Sequence, residues 1–285
     1  MELPKEIVLL DSLGDVNSDN ICPILVCGSH CADDGTFARK LVKCNVKAVF
    51  LNNAGIGKNK AGIKGLAFYN DYDIIACAVD NYSAEIGVAN DTWESGIISH
   101  SNKKAEDLGL QKGETVQEAV SKIITYVTAF PTPSLHSNLE FVQGDEVSGL
   151  NTIVNTKKLT QTQIHGVAIT VADSITFLNE NNVGDILVCG SHGGVSAGEY
   201  AQKYKLKAVF FNDAGIGKNN AGIKSLDSLN EAGILACTVD CMSAEIFNGH
   251  DVLDNGIISV CNQQAQSRNI HEGMTVQEAI EKIGA

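Results

Sequence analysis

No apolar run in the 285-residue chain approaches the length of about twenty residues that spans a bilayer. The first residues, Met1-Glu-Leu-Pro-Lys-Glu6, lack the basic stretch and apolar core of a secretory signal, so a cytoplasmic protein is expected. Positive charge is also scarce, with 21 Lys and Arg against 34 Asp and Glu. The net charge of −13 would repel nucleic acid and anionic membrane surfaces, which excludes both as expected partners. Nine cysteines is an odd number, and no CxxC motif occurs among them, so reduced thiols are expected rather than a disulfide scaffold.

Three further absences bound the chemistry. Gly-Lys is followed by Asn at Lys58-Asn59 and Lys218-Asn219, so neither stretch is a Walker phosphate loop, and Gly-x-Gly-x-x-Gly is missing there too. No Gly-x-Ser-x-Gly nucleophile elbow surrounds Ser191. What remains is a chain 44% apolar, long enough for two cores of ordinary size.

The chain repeats itself. Residues 47–124 align without a gap to residues 207–284 and are identical at 41 of 78 positions. Upstream the offset changes from 160 to 162 and pairs Ile24-Leu-Val-Cys-Gly-Ser-His30 with Ile186-Leu-Val-Cys-Gly-Ser-His192. This pattern predicts a tandem duplication of a Rossmann-like α/β unit, with a mostly parallel sheet flanked by helices and halves related by a pseudo-twofold axis. The expected units are residues 1–124 and 165–285, joined by a linker over 125–164. The linker is rich in Ser, Thr and Asn, carries Pro131 and Pro133, and has candidate short strands at Leu139–Val142 and Thr152–Val154.

Within each unit the period predicts strands at 6–10, 24–27, 47–52 and 74–79, and at 167–172, 186–189, 207–212 and 234–239. Helices are predicted over Thr36–Lys43 and Ser196–Tyr204. Ser83-Ala-Glu-Ile86 and Ser243-Ala-Glu-Ile246 suit helix starts or turns. Thr115-Val-Gln-Glu118 and Thr275-Val-Gln-Glu278 are capping-box patterns that open the last helix of each unit.

Each predicted strand ends in polar or flexible residues. These are Asp11-Ser12, Gly28-Ser29-His30, Asn52-Asn53 and Asp80 in one unit, and Asp173-Ser174, Gly190-Ser191-His192, Asn212-Asp213 and Asp240-Cys241 in the other. Parallel strands bring such ends to one edge, where α/β sheets bind ligands, although the same residues also cap helices. The repeated loop Asn53-Ala-Gly-Ile-Gly-Lys58 and Asp213-Ala-Gly-Ile-Gly-Lys218 suits an anion cradle, with backbone N–H groups and the lysine facing the guest.

The halves differ in ways that favour the second. His192 is followed by Gly193 and Gly194, whereas His30 precedes an acidic loop; Asp213 matches Asn53, and Cys241 matches Asn81. The candidate catalytic residues are His192, Asp213 and Glu245 as acid, base or orienting groups, and Cys241 as a nucleophile. Ligand contacts are expected from Ser191, Gly193, Gly194, Asn212, Gly215, Gly217, Lys218, Asp240 and Ser243, and from His30, Asn53, Lys58 and Glu85. No cofactor is predicted. Asp173, Asp213, Asp240 and Glu245 offer oxygen ligands for a divalent cation, and Cys27, His30 and Cys31 offer soft ones, but neither set has a compact metal-binding spacing.

The expected function is a soluble enzyme that acts on a small, polar or anionic metabolite by hydrolysis or proton transfer. A non-catalytic ligand-binding or sensor protein and a structural pseudo-dimer are the alternatives.

Overall fold

The computed structural model describes residues 3–17, 23–129 and 158–284. They form two mixed sheets flanked by helices, an α/β architecture. The first sheet contains β1 (Ile7–Leu10), β2 (Ile24–His30), β3 (Ala48–Asn52), β4 (Ile75–Val79) and β5 (Ile98–Ser101) in that spatial order. The first four strands are parallel, and β5 runs antiparallel to β4. The second sheet has β6 (Leu159–Ile164), β7 (Val167–Ala172), β8 (Ile186–His192), β9 (Ala208–Asn212), β10 (Leu235–Val239) and β11 (Ile258–Cys261), again in sequence order. Here β7 to β10 are parallel, with antiparallel strands at both edges.

The predicted central strands match the observed ones to within a residue or two, except that β2 and β8 run on through Gly-Ser-His. The edge strands β5 and β11 were not predicted. Each is only four residues long and includes polar residues (Ile-Ser-His-Ser and Ile-Ser-Val-Cys), too short for a clear period-two signal. Because the strand order follows the sequence, neither sheet contains the order reversal at which doubly wound sheets open a crevice.

Alternation along the buried strands supplies a core on each face. In the first sheet Leu25, Val49, Leu51 and Ala78 pack with Phe37 and Leu41 of α1 (Thr36–Lys43) and Leu66 and Tyr69 of α2 (Gly65–Asp71). The opposite face, with Val26, Phe50 and Val79, meets α3 (Ala89–Ser95) and α5 (Val116–Ala129), which precede and follow the short α4 (Lys103–Asp107). In the second sheet α6 (Val195–Lys203) and α7 (Ser225–Glu231) cover one face, and α8 (Gly249–Asn255) and α10 (Val276–Gly284) cover the other; α9 (Gln263–Gln266) lies between the last two in sequence. Thr115 and Glu118, and Thr275 and Glu278, exchange the bonds of a capping box.

Ser83-Ala-Glu-Ile86 and its counterpart form turns, one of the two readings their sequences suit, and the helices begin later, at Ala89 and Gly249. One expectation changes. Helix α5 continues to Ala129, and β6 occupies the end of the predicted linker, so the unassigned connection is shorter than 125–164. The strands suggested at 139–142 and 152–154 lie outside the described residues.

The two glycine loops meet each other. A Cβ on Gly55 would lie 2.9 Å from the Gly215 Cα, and one on Gly217 would lie 2.7 Å from the Asn81 carbonyl oxygen. The Lys58 amide donates to the Cys241 carbonyl and the Lys218 amide to the Asn81 carbonyl, both at 2.8 Å. Lys58 pairs with Asp251 and Lys218 with Asp91, each at 2.7 Å. Lys64 and Asn59 reach Glu245, and Lys224 and Asn219 reach Glu85. The residues after each loop form a short 3-10 segment with Asn59, Lys60, Asn219 and Asn220 at positive φ, so the α-helix starts only after it.

Candidate functional site

At the carboxyl edge, many of the strand-end polar groups hold backbone. Asn52 and Asn212 are fully buried; each accepts from the amide two residues ahead and donates to the Ala84 or Ala244 carbonyl. Asp11 and Asp173 accept from the first amides of α3 and α8. Asp80 and Asp240 close turns by accepting from Tyr82 and Met242, and Ser243 donates to the Asp240 carbonyl while accepting from Ile257. Short acceptors after a strand are well suited to these bonds, and this is the role they fill.

Two clusters of candidate residues remain. The first lies between the sheets, around His30 and His192, whose rings are 6.4 Å apart and edge to face. Ser12, Ser29, Ser174, Ser191, Phe37 and Tyr200 are among the other residues that line a cavity with about 30 Å³ open to water-sized molecules. That is room for very few water molecules and too little for a metabolite. Burial pushes the His30 imidazole down to about 4, and burial and the facing His30 push His192 down to about 3, so both rings are neutral near pH 7. His192 Nδ1 accepts from the Gly194 amide at 3.0 Å, which leaves its proton on Nε2. Gly193 is required by close backbone, since a Cβ there would meet the Gly222 carbonyl oxygen at 2.8 Å; Gly194 precedes α6. Ser29 and Ser191 accept from the Leu13 and Ile175 amides. His192 thus lines this small cavity, and the glycines after it serve the close turn into α6.

The second cluster is at the end of β9 and β10. Asp213, Gly215, Ile216, Asp240, Ser259 and Glu272 line a groove of about 500 Å³. Asp213 is 4% exposed, and one of its oxygens accepts from the Gly215 and Cys241 amides at 2.9 and 3.0 Å. Burial raises its affinity for a proton above that of an ordinary carboxyl, against the opposing effect of those amides and the Ser259 hydroxyl. Asn53 makes the same two bonds, to the Gly55 and Asn81 amides, and its amide group donates to Ser99. The fold role of Asp213 is therefore filled by an uncharged residue at the matching position.

The other sequence candidates sit as follows. Burial and the neighbouring Asp213 and Asp240 push the Cys241 thiol up to about 12, so it is not a thiolate nucleophile at neutral pH. For Glu245, burial acts upward, but the bonds from Lys64 and Asn59 outweigh it and hold the carboxyl below its usual range; Glu85 is held likewise by Asn219 and Lys224. Both glutamates are thus committed to contacts between the two sheets' loops. Lys58 and Lys218 are bound by aspartates, and Gly217 faces the Asn81 carbonyl, so the loops are filled by protein where an anion was expected. Ligand atoms of Asp213, Asp240 and Cys241 lie within 4.8 Å of one another, whereas Asp173 and Glu245 are engaged elsewhere. Ser259 and Glu272 were not picked out as site residues; Ser259 sits on the unpredicted β11 and Glu272 in a loop distant in sequence from Asp213.

No helix among the described residues is long and apolar enough to cross a membrane. Compared with protein-family models, with curated proteins and with solved structures, the chain gives no match.

Proposed function

We propose that the protein is an enzyme that acts on a small polar metabolite in the groove beside Asp213, with the Asp213 carboxyl transferring the proton. The observation that carries this reading is the pair Asp213 and Asn53. The two residues make the same backbone bonds, but only Asp213 adds a carboxyl with raised proton affinity, and it does so in the wall of a groove of metabolite size. One Asp213 oxygen stays anchored by two amides while the carboxyl exchanges a proton with the substrate, and Ser259 is positioned to favour the ionised form.

The charge of the groove narrows the guest. Asp213, Asp240 and Glu272 face it, while Lys58 and Lys218 are already paired, so a neutral or cationic substrate fits better than an anion. The carboxylates of Asp213 and Asp240 would be the ligands of any divalent cation in the same groove, since the Cys241 thiol would contribute little to a hard cation.

We further propose that the two sheets with their helices descend from a duplicated unit and are related by an approximate twofold axis. The support is the sequence repeat together with reciprocal pairs such as Lys58 with Asp251 and Lys218 with Asp91. On this reading the first half is a bracing partner and the second carries the chemistry, in a cytoplasmic setting.

The test is Asp213→Asn, assayed against a panel of small neutral esters, amides and hydroxy-ketones turned over by the wild type. Loss of general acid or base catalysis is expected to lower kcat by about 10²–10⁴-fold. Unchanged turnover in a folded variant would overturn the assignment.

A further inference from the structure

Cys237 and Cys261 are direct partners across the antiparallel β10–β11 pair. Opposed residues in such a pair keep Cα atoms about 4.5–5.5 Å apart, with Cβ atoms on the same face. That spacing lies inside the window of about 4.4–6.8 Å that a disulfide spans. We propose that these two cysteines form an oxidation site, in which a peroxide converts Cys261 to a sulfenic acid that Cys237 resolves as a reversible disulfide.

The two thiols are unequal in the way this chemistry needs. Cys237 is fully buried in the core, whereas Cys261 is partly exposed on the last strand of the sheet and also borders a surface hollow. As a thiol, Cys261 donates to the Ile270 carbonyl at 3.4 Å. The Cys237 thiol lowers the Cys261 thiol to about 7, against burial and the nearby Glu272, with Gln266 and His271 adding to the lowering. Cys237 moves in the opposite direction, chiefly through the same hydrogen bond. The exposed sulfur is therefore the nucleophile and the buried one the resolving thiol.

The atoms and electrons balance in two steps. The Cys261 thiolate attacks a peroxide oxygen, an S–O bond forms, the O–O bond breaks, and alkoxide or hydroxide leaves; sulfur is oxidised and the peroxide reduced. The Cys237 sulfur then attacks the sulfenic sulfur, the S–S bond forms, and hydroxide leaves with the Cys237 proton as water. The first sheet supplies an internal comparison. Cys77 faces Ser101 at the matching position, with Sγ and Oγ 3.7 Å apart, and cannot close a bridge.

The experiment treats the full, reduced chain with equimolar hydrogen peroxide near pH 7.5 and maps peptides without reduction. A Cys237–Cys261 linked peptide that disappears with dithiothreitol is expected. In Cys261→Ser, whose serine copies Ser101, thiol loss should slow at least tenfold; in Cys237→Ala, dimedone should trap a sulfenic acid on Cys261. Absence of the linked peptide, sulfinic acid accumulating on Cys261 of the wild type, or unchanged thiol loss in Cys261→Ser would overturn the proposal. Thiol loss in Cys261→Ser is read independently of whether Cys237→Ala folds.

Discussion

At the residue scale, the exchange of Asp for Asn between positions 213 and 53 separates a fold role from the chemical one proposed for Asp213. Because Asn53 holds the same amides, Asp213→Asn is expected to keep the fold, with its new amide group donating to Ser259 as Asn53 donates to Ser99. The sign of the stability change follows from linkage. A carboxyl whose folded pKa is raised binds more protons folded than unfolded, so wild-type stability falls as pH rises through that pKa. Thermal melts should show Asp213→Asn at least as stable as wild type at pH 7, with the difference shrinking below about pH 4, where the unfolded carboxyl is also protonated.

The histidines have the opposite sign. Their folded values, about 4 and about 3, lie below the unfolded value near 6.5, so they cost stability progressively as pH falls from about 6.5. Imidazole NMR signals from His30 and His192 should not titrate between pH 5 and 8; a midpoint in that range would contradict the buried, neutral assignment. The sequence marked both histidines as site candidates, yet nothing local in Gly-Ser-His reveals that two such stretches face one another across so small a cavity.

At the element scale, the repeated glycine loops were legible as turns between strand and helix, with positive φ expected at Gly55, Gly57, Gly215 and Gly217, whereas the positive φ of Ala54, Ile56, Asn59 and Lys60 and of their counterparts was not legible. Nor was each loop's partner, because a loop at residues 53–58 meets one more than 150 residues away, and period or punctuation carries no information on such contacts. Their glycines fit each other's backbone. Gly55→Ala should destabilise the protein by at least about 1–2 kcal/mol from positive φ alone, before the clash with Gly215 is added. Chemical denaturation measures this, and a loss below about 0.5 kcal/mol would mean the loops part readily. The edge strands β5 and β11 escaped sequence reading for a different reason, since four residues with mixed polarity cannot establish a period. That omission also hid Ser259, which lies on β11.

At the scale of the whole molecule, the carboxylates between the sheets' loops act together. Asp91, Asp251, Glu85 and Glu245 all have folded pKa values lowered, because hydrogen bonds from lysines, asparagines and amides outweigh burial. Their stabilisation is present above the unfolded carboxyl values near 4 and is lost as pH falls through the folded ones. Lys58→Met leaves Asp251 with its Glu245 and Asn255 donors but no cation, and should cost about 1–3 kcal/mol by denaturant unfolding. Lys218→Met, opposite Asp91, should cost a similar amount, and a large inequality between the two would argue against the proposed twofold relation.

The central claim is that the ligand lies beside Asp213. The direct measurement is a crystal structure after soaking in a defined mixture of small neutral polyols, amides and hydroxy-ketones at millimolar concentration. The expected result is a guest in the groove of Asp213, Ser259 and Glu272, within hydrogen-bond distance of the Asp213 carboxyl. A guest only in the His30–His192 cavity, or an empty groove in crystals of a protein that turns the mixture over, would contradict it.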